Sequence, residues 1–141
     1  MDTQLQAGDR VVLDTNIVLD LFVFKDAAAA PLLQALQAGQ LDWLATQAMR
    51  VELERVLAYP QIVPRLVFYR LVPADVLDAF DRRARLVDAA PKAPVSCSDA
   101  DDQIFIDLAV AHQALLLSKD QAVLCMRKRL LALGVRAQAA F

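Results

Sequence analysis

The stretch from Arg10 to Phe22, RVVLDTNIVLDLF, constrains the fold more than any other. Val11, Val12 and Leu13 form an aliphatic run short enough for a buried strand. Asp14, Thr15 and Asn16 interrupt it, and apolar residues resume at Ile17 with a single acid, Asp20. A buried strand over Arg10–Leu13 and a helix over Ile17–Phe24 satisfy both halves. The interruption then puts an acid and two small polar groups at the turn between them. Asp14 either caps the helix or belongs to a site.

The pattern returns along the chain. Leu41–Ala45 reads as a second strand, after which Thr46 can cap a helix running to Tyr59 and stopped by Pro60. Leu115–Ser118 is a third strand, followed by Asp120 and a helix over Ala122–Leu133 that Gly134 ends. Ala27–Ala38, with Pro31 near its start and Gly39 past its end, carries helix punctuation. Pro64 and Pro73 bracket a short segment. Ala74–Val87 and Asp101–Ala114 read as helices, APKAPVSCSD between them as a loop, and the last residues as an edge strand. Strands alternating with helices imply a mostly parallel sheet covered on both faces. At 141 residues the expectation is a single domain, 1–141, able to bury roughly two-thirds of its unfolded surface.

Composition removes several chemistries. His112 is the only histidine, which leaves no base for most Ser-His or Cys-His schemes and no His-rich zinc site. Gly8, Gly39 and Gly134 cannot build a P-loop or a dinucleotide fingerprint. Cys97 and Cys125 lack metal-ligand spacing and read as reduced thiols of a cytoplasmic protein. The polar N-terminus is not expected to be a signal peptide, and no apolar run is long enough to span a membrane. A net charge of −2 advertises neither nucleic acid nor membrane. What remains in quantity is carboxylate.

Ligands of open parallel sheets sit beyond the carboxyl ends of the strands. Asp14 and Asp120 both follow strand ends, so neighbouring strands would turn them toward one crevice. On a helix from Thr46, Glu52 lies about 60° from Met49, at the border of the apolar stripe, and Glu54 about 140° away, in water. A carboxylate beside a core needs a partner; Arg55 and Arg83 are candidates for Glu52. Ser98 or Asp99 is the expected cap of the helix after SCSDADDQ. Asp101 and Asp102 flank its inner face about 40° and 60° from Phe105, and Asp107 points away about 160° off, toward solvent. His112, about 15 Å along the axis from Asp102, cannot share ligation with it and reads as a packing residue. Asp20 lies about 60° from Ile17 on a mostly apolar helix and wants a lysine or arginine. Acids that converge without histidine or thiol repel one another unless a cation sits between them. Oxygen-only sites suit Mg²⁺ or Mn²⁺, and the chemistry that fits is phosphodiester hydrolysis.

Four blocks in order, VVLDTNIVLD, VELERVL, CSDADDQIFIDLA and LLLSKD, resemble a PIN domain ribonuclease, in particular the toxin-like VapC type. The resemblance runs from Arg10 to the last helix. It implies an α/β/α sandwich, Mg²⁺ or Mn²⁺ dependence, cleavage of RNA, frequent homodimers and often a small antitoxin partner. Carried onto this chain, the catalytic acids are Asp14, Glu52, Asp102 and Asp120, with Asp14, Asp102 and Asp120 as metal ligands. Asn16 matches the residue that orients the first acid, and Ser118 the hydroxyl before the fourth. Asp99 and Asp101 are supporting acids. One departure is Lys119, where the family carries a small residue: it could reach a phosphate or weaken a metal site by repulsion. Arg50 and Arg55 are further candidates for substrate contact, and Arg82, Arg83 and Arg85 form a basic cluster. The alternatives are a catalytically inactive PIN-like module that binds RNA or a partner, and a receiver-like signalling domain.

Overall fold

The computed structural model describes residues 9–141. The polar N-terminal stretch and Gly8 lie outside the described residues. Among the described residues five parallel strands form one sheet in the order β3-β2-β1-β4-β5. They are β1 (Asp9–Leu13), β2 (Leu41–Ala45), β3 (Ala84–Leu86), β4 (Leu115–Leu117) and β5 (Ala137–Gln138). The helices are α1 (Thr15–Phe22), α2 (Ala30–Gln37), α3 (Gln47–Val56), α4 (Val63–Phe68), α5 (Pro73–Arg83), α6 (Gln103–His112), α7 (Gln121–Leu124) and α8 (Arg127–Ala132). This is the expected α/β/α sandwich.

Physical chemistry accounts for the layering. The central strands are buried on both faces: Val11, Val12, Leu44 and Leu116 have no exposed surface. Helices supply the cover, with Leu53 from α3, Phe80 from α5, Ile106 and Leu108 from α6 and Leu130 from α8 in the same apolar cluster. Trp43 of β2 packs edge-on against Phe80, ring centres 5.1 Å apart. Burial of such side chains is worth roughly 1.5–3 kcal/mol each.

Three expectations need correction. The helix read over Ala74–Val87 ends at Arg83, where Ala84 turns extended and starts β3. Only three residues long and largely exposed at a sheet edge, β3 has no apolar alternation to announce it. Its backbone pairs with Trp43–Ala45, and Arg85 grips Asp42 of β2 through two bonds of 3.0 and 2.7 Å. The helix read over Ala122–Leu133 breaks into α7 and α8 at Cys125–Met126, with no glycine or proline to mark the break. The helix read from Asp101 opens instead with a 3₁₀ turn, Ala100–Asp102, because the Asp99 carboxylate accepts from the Asp101 N–H at 3.0 Å and tightens the first turn.

Candidate metal centre

Strands β1 and β4 are neighbours in register, Leu13 opposite Leu117, so the chain leaves the sheet at two adjacent points. Asp14 occupies the cap position of α1 with an extended backbone, but its side chain makes no full cap hydrogen bond. It turns to β4, where the Ser118 hydroxyl donates to Asp14 Oδ2 at 2.6 Å. That hydroxyl also accepts the Asp120 N–H at 3.1 Å, which ties two acid-bearing turns through one oxygen. Asp120 does cap a helix: its Oδ1 accepts from the Ala122 N–H at 2.9 Å. Asp102 arrives from the far side, at the end of the 3₁₀ turn and the start of α6.

Asp14, Asp102 and Asp120 each offer one carboxylate oxygen within 4.8 Å of the others. Asp14 is 5% exposed and Asp102 7%. Among the described residues no arginine or lysine pairs with any of them, and Asp102 Oδ2 is buried without a hydrogen-bond partner. The electrostatics follow. Burial pushes Asp14 up, the Ser118 hydroxyl and the Asn16 N–H pull it down, and the charge of Asp120 adds to the rise. Asp102 is pushed up to about 8, first by burial, then by the close approach of the Asp120 carboxyl and the charges of Asp14, Asp120 and Asp99. Such a cluster favours protons or a cation between its oxygens. The unpartnered oxygen and the all-carboxylate donor set fit a hard divalent ion.

Glu52 stands beside this cluster rather than within it. It is half-buried on α3, and the Thr15 hydroxyl donates to its Oε2 at 2.6 Å. Burial raises it, the Thr15 bond lowers it, and the charges of Asp14 and Asp101 raise it again. Thr15 is a site residue that the sequence does not disclose, since there it is only part of a polar turn. Glu52 takes neither Arg55 nor Arg83 as an ion-pair partner among the described residues.

The other candidates are placed as follows. Asn16 is exposed, and its backbone rather than its side chain acts on Asp14. Asp99 and Asp101 are exposed, Asp99 as the cap of the 3₁₀ turn. Arg50 is committed to Asp81 of α5 through two bonds of 2.8 Å. Arg55 is exposed at the end of α3. Lys119 pairs with Asp20 of α1, which identifies the partner Asp20 needed. Asp107 is not out in solvent: it is half-buried and accepts from the Ala93 N–H at 2.9 Å and Gln103 Nε2 at 2.7 Å. The 88–99 loop folds over the helix face that a bare helical wheel leaves open.

Residues 10–122 match the family model of the PIN domain. The chain belongs to the PIN domain family. The match agrees with the four sequence blocks and displaces the receiver-like reading. Among solved structures, this PIN domain is similar to a chain of VapBC2 from Rickettsia felis, crystallised bound to a DNA fragment from their promoter. The TM-score is 0.61 and the identity 16%, over 91% of this chain and 98% of that one, a likeness of fold. Comparison with curated proteins finds no match. No helix among the described residues is long and apolar enough to cross a membrane.

Proposed function

We propose that this PIN domain is a metal-dependent endoribonuclease, with Asp14, Asp102 and Asp120 as ligands of Mg²⁺ or Mn²⁺ and Glu52 as the fourth catalytic acid. The observation that carries the reading is the meeting of three carboxylates, without a cation, around a buried unpartnered oxygen of Asp102. An ion bound there supplies charge to orient a phosphate and to lower the pKa of a water. The chain's own residues do the rest. Ser118 fixes Asp14 through Oδ2 and Asp120 through its N–H, so both carboxylates are set before substrate arrives. Thr15 holds Glu52 by Oε2, which leaves Oε1 to take or pass a proton at the rim of the cluster. Asn16, just after Asp14, and Asp99 and Asp101, just before Asp102, are exposed and keep the supporting roles that the resemblance gives them. Of the proposed substrate-contacting cations, Arg55 is exposed on α3 close enough to lower Glu52, whereas Arg50 and Lys119 already hold carboxylates.

The cellular setting we infer is the toxin of a toxin–antitoxin pair, acting as a homodimer in the cytoplasm and held by a small antitoxin. The fold-level similarity to the VapBC2 chain supports it. So do Val67 and Phe68 at α4, 71% and 75% exposed, apolar surface of the kind that association covers. The test is cleavage of single-stranded RNA by the purified protein with Mn²⁺, with EDTA, and by Asp14→Asn. Cleavage that needs the metal and is lost in the variant is expected. Equal cleavage by variant and wild type would remove Asp14 from the site. A metal-binding protein that cuts no RNA would favour the inactive binding module.

A further inference from the structure

Two residues that are odd in the sequence meet each other, and neither supplies a carboxylate to the cluster. Asp20 lies on α1, six residues beyond Asp14, with only 11% of its side chain exposed. Lys119 stands between Ser118 and Asp120, and its ammonium group pairs with the Asp20 carboxylate. Beside the pair is a small cavity of about 40 Å³ lined by Ile17, Leu32, Leu117 and Ala140. The bond therefore runs from the link between β4 and α7, which carries Asp120, to the helix that Asp14 precedes.

We propose that Asp20 and Lys119 are a positioning pair that holds Asp120 in register with Asp14. The inference rests on the reading of these acids as a metal site. Three carboxylates within 4.8 Å repel one another. Asp14 and Asp102 are locked in by burial, but Asp120 is only half-buried and sits at the start of a four-residue helix. It is the acid that repulsion can displace. Its carboxylate accepts from the Ala122 N–H, two residues on, and its backbone N–H donates to the Ser118 hydroxyl, which is anchored in turn to Asp14. The Lys119–Asp20 bond adds a second long-range restraint, a charge contact that resists displacement of the link. The lysine at this position is turned to α1, where its charge is matched by Asp20.

The partners are unequal. Lys119 is 46% exposed along its side chain and can return to water; Asp20 cannot. Removing the lysine leaves a buried carboxylate unpaired, so Lys119→Met perturbs more than Asp20→Asn.

The experiment is a calorimetric Mn²⁺ titration of wild type, Lys119→Met, Asp20→Asn and Lys119→Arg, with amide hydrogen exchange on the metal-free proteins. Positioning predicts roughly tenfold weaker Mn²⁺ binding in Lys119→Met, a smaller loss in Asp20→Asn, and near wild-type binding in Lys119→Arg. It also predicts faster exchange at the Asp120 and Ala122 amides, with β1 amides unchanged. Plain charge repulsion predicts the opposite sign, because losing a cation beside acids tightens Mn²⁺ binding. Tighter binding in Lys119→Met, or unchanged affinity and exchange in folded variants, overturns the proposal. Wild-type protein that binds no Mn²⁺ overturns the metal site itself, and the exchange at Asp120 and Ala122 still decides whether the pair holds the link.

Discussion

Aspartate is used in two opposite ways in this molecule. At the edge of the sheet and across α3 and α5, Asp42 and Asp81 face arginines, each through two short bonds. The guanidinium holds each carboxyl below its ordinary range. At the ends of β1 and β4, Asp14 and Asp102 face hydroxyls, backbone and other carboxylates, and both are pushed up. The two acids paired with arginine are the more exposed, Asp81 at 43% and Asp42 at 27% of the side chain. Asp14 and Asp102, without an arginine or lysine partner among the described residues, are buried, the reverse of what stability alone would select. An acid that is buried, clustered and denied a cation costs folding free energy, and that cost marks the place where the chain expects something from outside.

The comparison breaks most visibly at the cluster. Asp14→Asn and Asp102→Asn are each expected to lower RNA cleavage by roughly 10²-fold or more while the far-ultraviolet circular dichroism is unchanged. Activity within a few-fold of wild type would mean that the buried acids do no chemistry.

Stability should respond to pH with the sign of a raised acid. Asp102 titrates at about 8 in the folded protein against 3.8 when unfolded. Between those values the folded state holds a proton that the unfolded state has lost, so metal-free stability falls as pH rises from about 4 to 8. Metal-free protein is expected to melt several degrees higher at pH 5 than at pH 8. Asp102→Asn flattens the slope, and Mn²⁺ at pH 8 recovers the loss. The acids paired with arginine contribute nothing to this window, because their values lie below the ordinary range.

Ser118→Ala sharpens the comparison at smaller scale. It leaves Asp14 Oδ2 and the Asp120 N–H without their shared partner, and a loss of about 1–3 kcal/mol in urea unfolding is expected. Arg50→Ala, at an exposed pair, is expected to cost about 1 kcal/mol or less, and the effect shrinks in high salt. A larger loss for Arg50 than for Ser118 would reverse the contrast between the two regions.

What the sequence revealed follows the same physics. Strands β1 and β4 are legible because burial on both faces leaves short aliphatic runs bounded by polar turns, and β2 because its piece from Leu41 to Ala45 is apolar but for Asp42. Asp14 and Asp120 stood out because the acids interrupt those runs, and the topology then makes their strands adjacent. Edge strand β3 was not legible: three residues, two of them exposed, carry no period, and only the neighbouring backbone of β2 makes them a strand. Asp107 was misread because a helical wheel knows its own helix and not the loop that covers it. Thr15 escaped because a hydroxyl beside an acid gives no signal until α3 brings Glu52 against it. Asp20 and Lys119 were each conspicuous, but their pairing is a tertiary fact.

The central claim is that Asp14, Asp102 and Asp120 are held together to share one cation. Diffraction from crystals soaked in Mn²⁺, recorded for the metal's anomalous signal, tests it most directly. A single strong peak coordinated by oxygens of all three aspartates, absent in Asp102→Asn, is expected. A peak elsewhere on the surface, or none between these carboxylates at saturating metal, would contradict it.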